Sequence, residues 1–197
     1  MQLSRRSLLA SLGTGGVVGT AGCLDFAAGE GPQGPDGRPT TLSCPNEEFR
    51  RLDQRFAEEN LRFVSARTAD GVKVELAVQG TVKTYGSVLR LVLRNLDQTK
   101  TTIGSGERIA IQRETGQGWV DVRGTPDGSK VSYPDEPKTV GSGGGHVWSI
   151  TLREKPIANT LSTADLTVCP QLGAGTYRFV YWGLDGVAIG TEFEIIQ

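Results

Sequence analysis

The sequence has very little histidine, few aromatic residues and almost no net charge. The single histidine, His146, excludes a histidine-rich metal site and leaves little room for a Ser/His/Asp or Cys/His catalytic pair. The formal net charge of −1 argues against a nucleic-acid-binding protein, because such proteins carry a basic patch. Hydrophobic residues make up only 37% of the 197 residues, and 27 residues are glycine. This composition indicates one small, turn-rich domain with polar segments attached to it.

The N-terminus has a basic pair followed by a short apolar stretch. Arg5 and Arg6 are adjacent, and residues 8–21 after them are rich in Gly, Ala, Leu and Val. These residues, roughly 14 in number, are too few for a membrane-spanning helix, which needs about 20. The sequence Thr-Ala-Gly directly precedes Cys23. Small residues in this position are typical of a signal-peptide cleavage site.

This arrangement resembles the twin-arginine signal peptide and lipobox of exported lipoproteins, a combination typical of halophilic archaea. The resemblance implies that residues 1–22 are a cleaved signal in which Arg5 and Arg6 direct the export of a folded protein. It also implies a lipid on the Cys23 thiol, and therefore a location on the extracellular face of the cytoplasmic membrane. The membrane is then a partner of the chain through that lipid.

A polar segment follows the predicted lipidation site. Residues 23–45 are rich in Gly and Pro and contain few apolar side chains. Such a segment cannot bury enough surface to offset the entropy of ordering it. We therefore expect residues 23–45 to be a flexible, disordered tether that lifts the domain off the membrane.

Two cysteines remain if Cys23 carries a lipid. Outside the cell an even number of cysteines favours a disulfide, here between Cys44 and Cys169. Free thiols and a catalytic cysteine are the alternatives, and a catalytic cysteine needs a basic neighbour in a chain that has one histidine. In the chain-entropy model, a bond across a loop of this length stabilises the fold by about 4–5 kcal/mol.

Residues 46–71 are predicted to form a short helix and a lead-in to the main domain. Asn46 is a favourable N-cap residue, and the two glutamates after it suit the first turn of a helix. Phe49, Leu52 and Phe56 recur at helical spacing. The alternating charges around them are interpreted as a solvated face of this helix, with a binding surface as the alternative.

From residue 72 onward, apolar residues alternate with polar ones. Seven segments show the period of two that is typical of β-strands, namely 72–78, 89–94, 109–111, 119–122, 148–152, 177–182 and 189–195. Seven strands separated by turn signals predict an all-β fold, an antiparallel β-sandwich over residues 72–197. We expect Leu89, Ile111, Tyr177 and Phe193 to point into its core.

Tyr177 follows a glycine-rich turn and begins the sixth of these strands. The spacing Gly-x-Tyr is the sequence form of a tyrosine corner, in which the tyrosine hydroxyl bonds to the backbone near the preceding turn. An ordinary buried tyrosine is the alternative. Phe179 stands where an antibody domain has its second cysteine, so the sandwich is expected to be Ig-like without that disulfide.

These segments resemble the Ig-like domains of bacterial cell-surface lipoproteins, and they are similar to the intracellular proteinase inhibitor fold. The likeness rests on a strand that ends in Asn95, on the pair Gly118-Trp119 after a hairpin turn, and on residues 172–179 before the penultimate strand. It covers residues 72–197. The resemblance implies a fold and no active site.

No motif for catalysis, phosphate binding or metal binding stands out. The glycine-rich run at 141–145 lacks the Lys-Ser/Thr of a phosphate-binding loop, and no acidic spacing matches a calcium loop. Residues 124–145 form a long connection, which we expect to be a mobile surface loop and the best position for a ligand contact. Trp119, Trp148 and Trp182 are candidate contact residues if they are exposed.

We therefore expect a membrane-anchored cell-surface lipoprotein with a non-catalytic, Ig-like binding or structural module. The expected partner is a protein or a carbohydrate, and no cofactor, metal or nucleic acid is expected. The alternative is a proteinase-inhibitor-like or ligand-binding accessory protein. An exposed aromatic patch would favour binding, a rigid protruding loop would favour inhibition, and polar groups that converge on His146 would favour an enzyme.

Overall fold

The computed structural model describes residues 31–197, so the predicted signal peptide, Arg5, Arg6 and Cys23 lie outside the described residues. The described residues form short β-strands, one 3₁₀ turn (Glu58–Asn60) and one helix, α1 (Glu154–Ala158). The strands are β1 (Arg50–Arg51), β2 (Leu61–Phe63), β3 (Ser65–Arg67), β4 (Lys73–Val78), β5 (Val82–Thr84), β6 (Val88–Asn95), β7 (Thr101–Ile103), β8 (Ile109–Thr115), β9 (Gly118–Asp121), β10 (Arg123–Thr125), β11 (Lys138–Val140), β12 (Val147–Thr151), β13 (Thr167–Val168), β14 (Gly175–Tyr181) and β15 (Ala188–Ile196).

Two sheets pack against each other and form a sandwich. The first sheet has the strand order β12-β6-β4-β3, and the second has the order β2-β15-β14-β8-β9, with β5 also paired to β15. Alternate residues of a strand point to opposite faces, so each sheet turns one row of apolar side chains inward. Leu89, Ile111, Tyr177 and Phe193 all lie in the shared core, as predicted.

The predicted all-β class and the seven predicted strands are confirmed. The seven strands are β4, β6, β8, β9, β12, β14 and β15. In the first sheet β6 lies between β4 and β12, and in the second β14 lies between β8 and β15. This is the A-B-E and C-F-G arrangement of an Ig-like sandwich. The pairs are antiparallel as predicted, except that β2 and β5 run parallel to β15.

Two smaller sheets contain parts of the connection predicted as a mobile loop. One has the order β1-β10-β13 and the other pairs β11 with β7. The backbone N–H of Asn95 also donates to the carbonyl oxygen of Gly144 at 2.9 Å. Residues 138–145 are therefore held against neighbouring strands, because their backbone groups have partners there, and the prediction of a mobile loop is wrong for them.

The helix predicted after Asn46 is not formed. The Asn46 side chain accepts a hydrogen bond from the backbone N–H of Glu48 at 3.0 Å, which closes a turn instead of capping a helix. The next residues, Arg50 and Arg51, pair with β10 as β1. A short helix is marginal on its own, so these strand hydrogen bonds prevail. The sandwich also starts before the predicted residue 72, because β2 and β3 belong to its two sheets.

The prediction of a flexible tether is wrong for residues 34–45, which we call the strap. The backbone N–H groups of Gly34 and Gly37 donate to carbonyl oxygens in the turn before β14, at 2.7 and 2.8 Å. The side chain of Leu42 is buried in the core of the sandwich. The strap is poor in apolar side chains, but its backbone finds partners on the sandwich, and these offset the entropy of ordering it.

Two contacts that the sequence predicts are present, one covalent and one a hydrogen bond. Cys44 at the end of the strap forms a disulfide with Cys169, and their Cα atoms are 5.5 Å apart. The Tyr177 hydroxyl donates to the carbonyl oxygen of Gly173 at 2.7 Å. This is the hydrogen bond to the preceding turn that a tyrosine corner requires.

A buried arginine fastens the strap. The Arg113 side chain is 1% exposed, and its Nη2 donates to the carbonyl oxygens of Pro35, Gly37 and Ala174. Its guanidinium carbon lies 5.3 Å from the centroid of the Tyr177 ring. Its Nε and Nη1 have no hydrogen-bond partner among the described residues. The strap carbonyls therefore provide much of the compensation for a charge buried without a carboxylate.

The chain crosses from the second sheet to the first at Val64. Its backbone N–H donates to Gly190 of β15 at 3.2 Å, and its carbonyl oxygen accepts from Leu76 of β4 at 2.8 Å. These bonds hold Val64 at a φ of 66°, in the left-handed region. That conformation costs about 1–2 kcal/mol for a residue with a Cβ atom, and a β-branched residue adopts it rarely. Val64 therefore stores strain at the corner of the sandwich.

Val64→Asn is expected to raise the free energy of unfolding by about 1 kcal/mol, because asparagine adopts the left-handed conformation more readily. Val64 is 55% exposed, so the substitution removes little hydrophobic contact. Urea denaturation measures the difference. Val64→Ile keeps the β-branched shape and serves as the control. An asparagine variant that is no more stable than the natural chain would contradict the claim that the backbone at Val64 is strained.

Arg113→Met is expected to accelerate amide hydrogen exchange at Gly34 and Gly37 by about tenfold or more. The variant removes the charged donor from the strap carbonyls, and one such hydrogen bond contributes about 1.5–3 kcal/mol. Exchange followed by NMR gives both rates, with the amides of β6 as the internal reference. The exposed Arg94 provides a control variant, Arg94→Met. Unchanged exchange at both glycines in Arg113→Met would show that Arg113 does not hold the strap.

Candidate binding groove

The three tryptophans do not form an exposed patch in the described part of the chain. Trp148 is 9% exposed, and its Nε1 donates to the carbonyl oxygen of Gly106 at 2.7 Å. Trp119 is half-buried, with the guanidinium carbon of Arg178 4.6 Å from its ring centroid. Trp182 is half-buried and lines one of the cavities described below. Of the three predicted contact residues, only Trp182 therefore lies next to space that a ligand can enter.

His146 is half-buried and has a backbone partner. Its Nε2 lies 2.9 Å from the carbonyl oxygen of Gly104, and its ring lies 5.5 Å from the rings of Trp148 and Tyr181. Burial lowers the pKa of His146, and the hydrogen bond to Gly104 opposes that shift. Within residues 31–197, no carboxylate or hydroxyl group forms a hydrogen bond to this ring.

Residues 31–197 contain no cluster of three or more His, Cys, Asp or Glu side chains that could hold a metal ion. Over the same range, no helix has both the length and the apolar character needed to cross a membrane.

Three cavities run end to end along one side of the sandwich and form a groove. The first cavity has a volume of about 180 Å³, the middle cavity about 230 Å³ and the third about 500 Å³. Arg55 lines both the first and the middle cavity. Asn60, Gly186 and Val187 line both the middle and the third cavity. The shared residues make the three cavities neighbours, and we call them together the groove.

The first cavity is lined by cationic side chains. Arg50, Arg55 and Lys130 are exposed at its wall, beside the half-buried ring of Tyr133. The guanidinium carbon of Arg55 lies 5.7 Å from the centroid of that ring. Arg50 is 3.7 Å from the exposed carboxylate of Asp53. Neither Arg55 nor Lys130 forms an ion pair with any described residue, so both charges face the cavity without a carboxylate partner.

Hydrogen bonds hold the Arg51 side chain in place at the first cavity. Its Nη1 donates to the carbonyl oxygen of Asp121 and its Nη2 to that of Leu42, both at 2.7 Å. Burial lowers the pKa of Arg51, and the negative charge of Asp121 opposes this. An arginine keeps its proton at any ordinary pH, so Arg51 adds a held positive charge to the back of the cavity.

Most residues that line the middle cavity are apolar, and Arg55 and Asn60 are the polar ones. Phe56 and Trp182 form part of its wall together with Leu184 and Ala188. Tyr133 from the first cavity meets Trp182 edge to face, with ring centroids 4.8 Å apart and planes at 85°. This T-shaped geometry is favoured for aromatic pairs. The pair holds the boundary between the first and the middle cavity in one arrangement.

The third cavity is again cationic. Arg62, Arg67 and Lys73 line it, and none of its lining residues is acidic. The Arg62 Nη1 donates to the carbonyl oxygen of Leu61 at 3.0 Å, and the Arg67 Nη1 donates to that of Gly71 at 2.8 Å. Both guanidinium groups keep further donors for a ligand, because each arginine carries five N–H bonds.

An ion pair holds the segment that lines the middle cavity. The buried Arg178 of β14 pairs with Glu58 through both guanidinium nitrogens, and its Nη1 donates to Oε2 at 2.9 Å. Its Nε also donates to the side chain of Gln112 at 2.6 Å. The hydrogen bond from Arg178 holds the pKa of Glu58 below its usual value. This contact fixes the segment that carries Arg55 and Phe56 onto the outer face of the second sheet.

The groove concentrates positive charge. Seven cationic side chains and one carboxylate, Asp53, line the three cavities. The whole chain has 21 basic and 22 acidic side chains. The lining of the groove therefore has a net charge of +6 in a chain whose net charge is −1, so the other residues of the chain sum to −7.

A fourth cavity of about 420 Å³ meets the middle cavity at Leu184 and has the opposite charge. Asp70, Asp135 and Asp185 line it together with Arg108, whose Nη2 lies 2.7 Å from Asp135. An anionic ligand is repelled from this side. The cationic path through the first, middle and third cavities therefore does not continue into this fourth cavity.

The sequence predicted one part of this groove and missed the rest. Four residues of the connection that was expected to contact a ligand line the first cavity, namely Ser129, Lys130, Val131 and Tyr133. The basic residues of 50–55 were interpreted as the solvated face of a helix, although three neighbouring arginines were a visible signal. No protein-family model, curated protein or solved structure matches the chain.

Proposed function

We propose that the chain is a membrane-anchored cell-surface lipoprotein whose sandwich is a non-catalytic module that binds anionic ligands in the groove. The observation that carries this proposal is the net charge of +6, with Arg55 and Lys130 unpaired at the first cavity. Arginine and lysine only donate hydrogen bonds. The matching ligand therefore supplies acceptors and negative charge.

The exposure of these cations determines how strongly they bind an anionic ligand. A hydrogen bond between charged groups contributes about 1.5–3 kcal/mol, and salt screens exposed charges over about 8–10 Å. Several such contacts together give useful affinity, whereas one alone does not. We therefore expect binding that depends on several cations at once and that weakens as the salt concentration rises.

The groups that line the groove favour binding over catalysis. Hydrolytic or transfer chemistry needs a positioned acid, base and nucleophile. Asp53 is the one carboxylate of the groove, and it faces Arg50. Burial raises the pKa of Tyr133, so its hydroxyl keeps its proton at neutral pH. His146 is not among the residues that line the three cavities.

The position of the strap supports an anchor close to the sandwich. Ten residues separate Cys23 from Gly34, where the strap begins to bond to the sandwich. A chain of that length spans at most about 40 Å. A lipid on Cys23 would therefore keep the module, and the groove with it, near the membrane surface.

Cys23→Ser is expected to release the protein from the membrane fraction without unfolding it, because the substitution removes the lipid attachment atom and leaves the Cys44–Cys169 bond intact. Fractionation of cells followed by immunoblotting measures the distribution. Arg90→Ala, at an exposed position of β6, is the control that stays with the membrane. A serine variant that still sediments with membranes would overturn the anchor.

Arg55→Glu is expected to weaken the binding of citrate by about tenfold or more, because one charge-assisted hydrogen bond becomes a repulsion. NMR titration with citrate at low salt measures the affinity and maps the shifted amides. Arg90→Glu makes the same charge change away from the groove and is the matched control. Equal citrate binding by both variants, or shifts that map away from residues 50–55 and 129–133, would refute the groove as an anion site.

A further inference from the structure

We infer that the ligand of the groove is an acidic polysaccharide whose chain lies along all three cavities. This inference rests on the proposed function, and it adds the chemical class of the ligand and its path. It depends on the order of the cavities, in which two cavities with clusters of cations flank a middle one whose lining residues are mostly apolar. A single small anion fills one of the two cationic cavities and leaves the other empty.

The sizes of the cavities indicate a ligand made of repeated small units. The first and middle cavities, at about 180 and 230 Å³, are smaller than the roughly 300–1,000 Å³ typical of a pocket for a whole small molecule. Each therefore accommodates one unit of a longer chain. Arg55 and Asn60 are the residues that the chain passes as it moves from one cavity to the next.

The alternation of charge and apolar surface matches an acidic sugar polymer. A sugar ring presents C–H groups on its faces, and these pack against apolar walls such as Phe56 and the exposed part of Trp182. A carboxylate or sulfate on a neighbouring ring then meets Arg55 on one side, or Lys73 and Arg67 in the third cavity. Binding at both ends explains why the cations form two clusters with an apolar wall between them.

The donors and acceptors of the groove favour a sugar chain over an acidic peptide. A peptide adds one backbone N–H donor at nearly every residue, and each needs an acceptor when it is buried. The seven cationic side chains of the groove accept no hydrogen bonds, and its uncharged side chains that can accept are few, namely Asn60, Ser65, Ser129 and Tyr133. A sugar hydroxyl both donates and accepts, so it can turn its acceptor toward an arginine.

A single-stranded nucleic acid fits the middle cavity less well. Such a chain stacks successive bases on open aromatic faces. Here Tyr133 meets the Trp182 ring edge to face, and the guanidinium carbon of Arg108 lies 5.6 Å from its centroid. Trp182 is therefore an apolar wall with limited open area, which suits the edge of a sugar ring.

The experiment compares hexagalacturonate with monomeric galacturonate by isothermal titration calorimetry, using the full-length chain in detergent. The hexamer is expected to bind about 100-fold more tightly or better, because its units bind as one linked ligand. Arg55→Glu in the first cavity and Lys73→Glu in the third are each expected to weaken hexamer binding by about tenfold. Arg90→Glu is the matched control and is expected to change it less than about twofold.

Three further probes decide the class of the ligand. Maltohexaose has the same number of rings without charge. If it binds as tightly as hexagalacturonate, the cations have no role in binding and the inference is overturned. Hexaglutamate or hexathymidylate that binds more tightly than hexagalacturonate would overturn the polysaccharide and leave the anion-binding function standing. Circular dichroism verifies that each variant is folded, which is expected because Arg55, Lys73 and Arg90 are all exposed.

The pattern of failure separates this inference from the proposed function. If Arg55→Glu weakens the hexamer and Lys73→Glu does not, the ligand occupies one end of the groove and the three-cavity path is wrong. If the hexamer binds no more tightly than the monomer, the path is wrong as well. If neither hexagalacturonate nor citrate binds at the groove, the proposed function fails together with the inference.

Discussion

The ordered N-terminal region depends on buried guanidinium groups of the second sheet. Residues 34–60 contain only a two-residue strand and one 3₁₀ turn, so most of their backbone groups need partners elsewhere. Arg113 supplies donors to the strap, and Arg178 binds the Glu58 carboxylate. A buried charge is costly unless it is hydrogen-bonded, so each arginine needs its N-terminal partner as much as the partner needs it. Through the pair of Arg178 and Glu58, this mutual dependence holds Arg55 and Phe56 at the groove.

The same region explains why the second sheet is buried on both faces. Its inner face joins the main core, and its outer face carries a second apolar cluster of Leu61, Ala110, Val180 and Ala188, with Phe56 and Trp182 packed against it. The segment before β2 covers that outer face. The middle cavity lies at the margin of this cover, where Phe56 and Trp182 remain partly exposed. The apolar wall of the groove is thus the edge of a small core.

The sequence predicted what depends on local pattern. Alternating side chains identified the seven strands, and the spacing before Tyr177 identified its hydrogen bond to the backbone. The strap could not be predicted, because composition measures apolar side chains whereas the strap is held by Arg113, more than 70 positions away in the chain. The groove was missed for a related reason. Its cations come from segments that only the folded chain brings together, and Asn46 gives the same local signal for a turn as for a helix cap.

The Cys44–Cys169 bond determines how the module responds to mechanical tension. A pulling force on the N-terminus first breaks the backbone contacts of Gly34 and Gly37 and then reaches Cys44. Peeling stops there, because the covalent bond passes the tension directly to Cys169 beside β13. The residues from 50 to 60 lie beyond that bond along the chain. Tension from the anchoring side can therefore unravel the strap and break the Leu42 bond to Arg51, while the residues from 50 to 60 do not carry the tension.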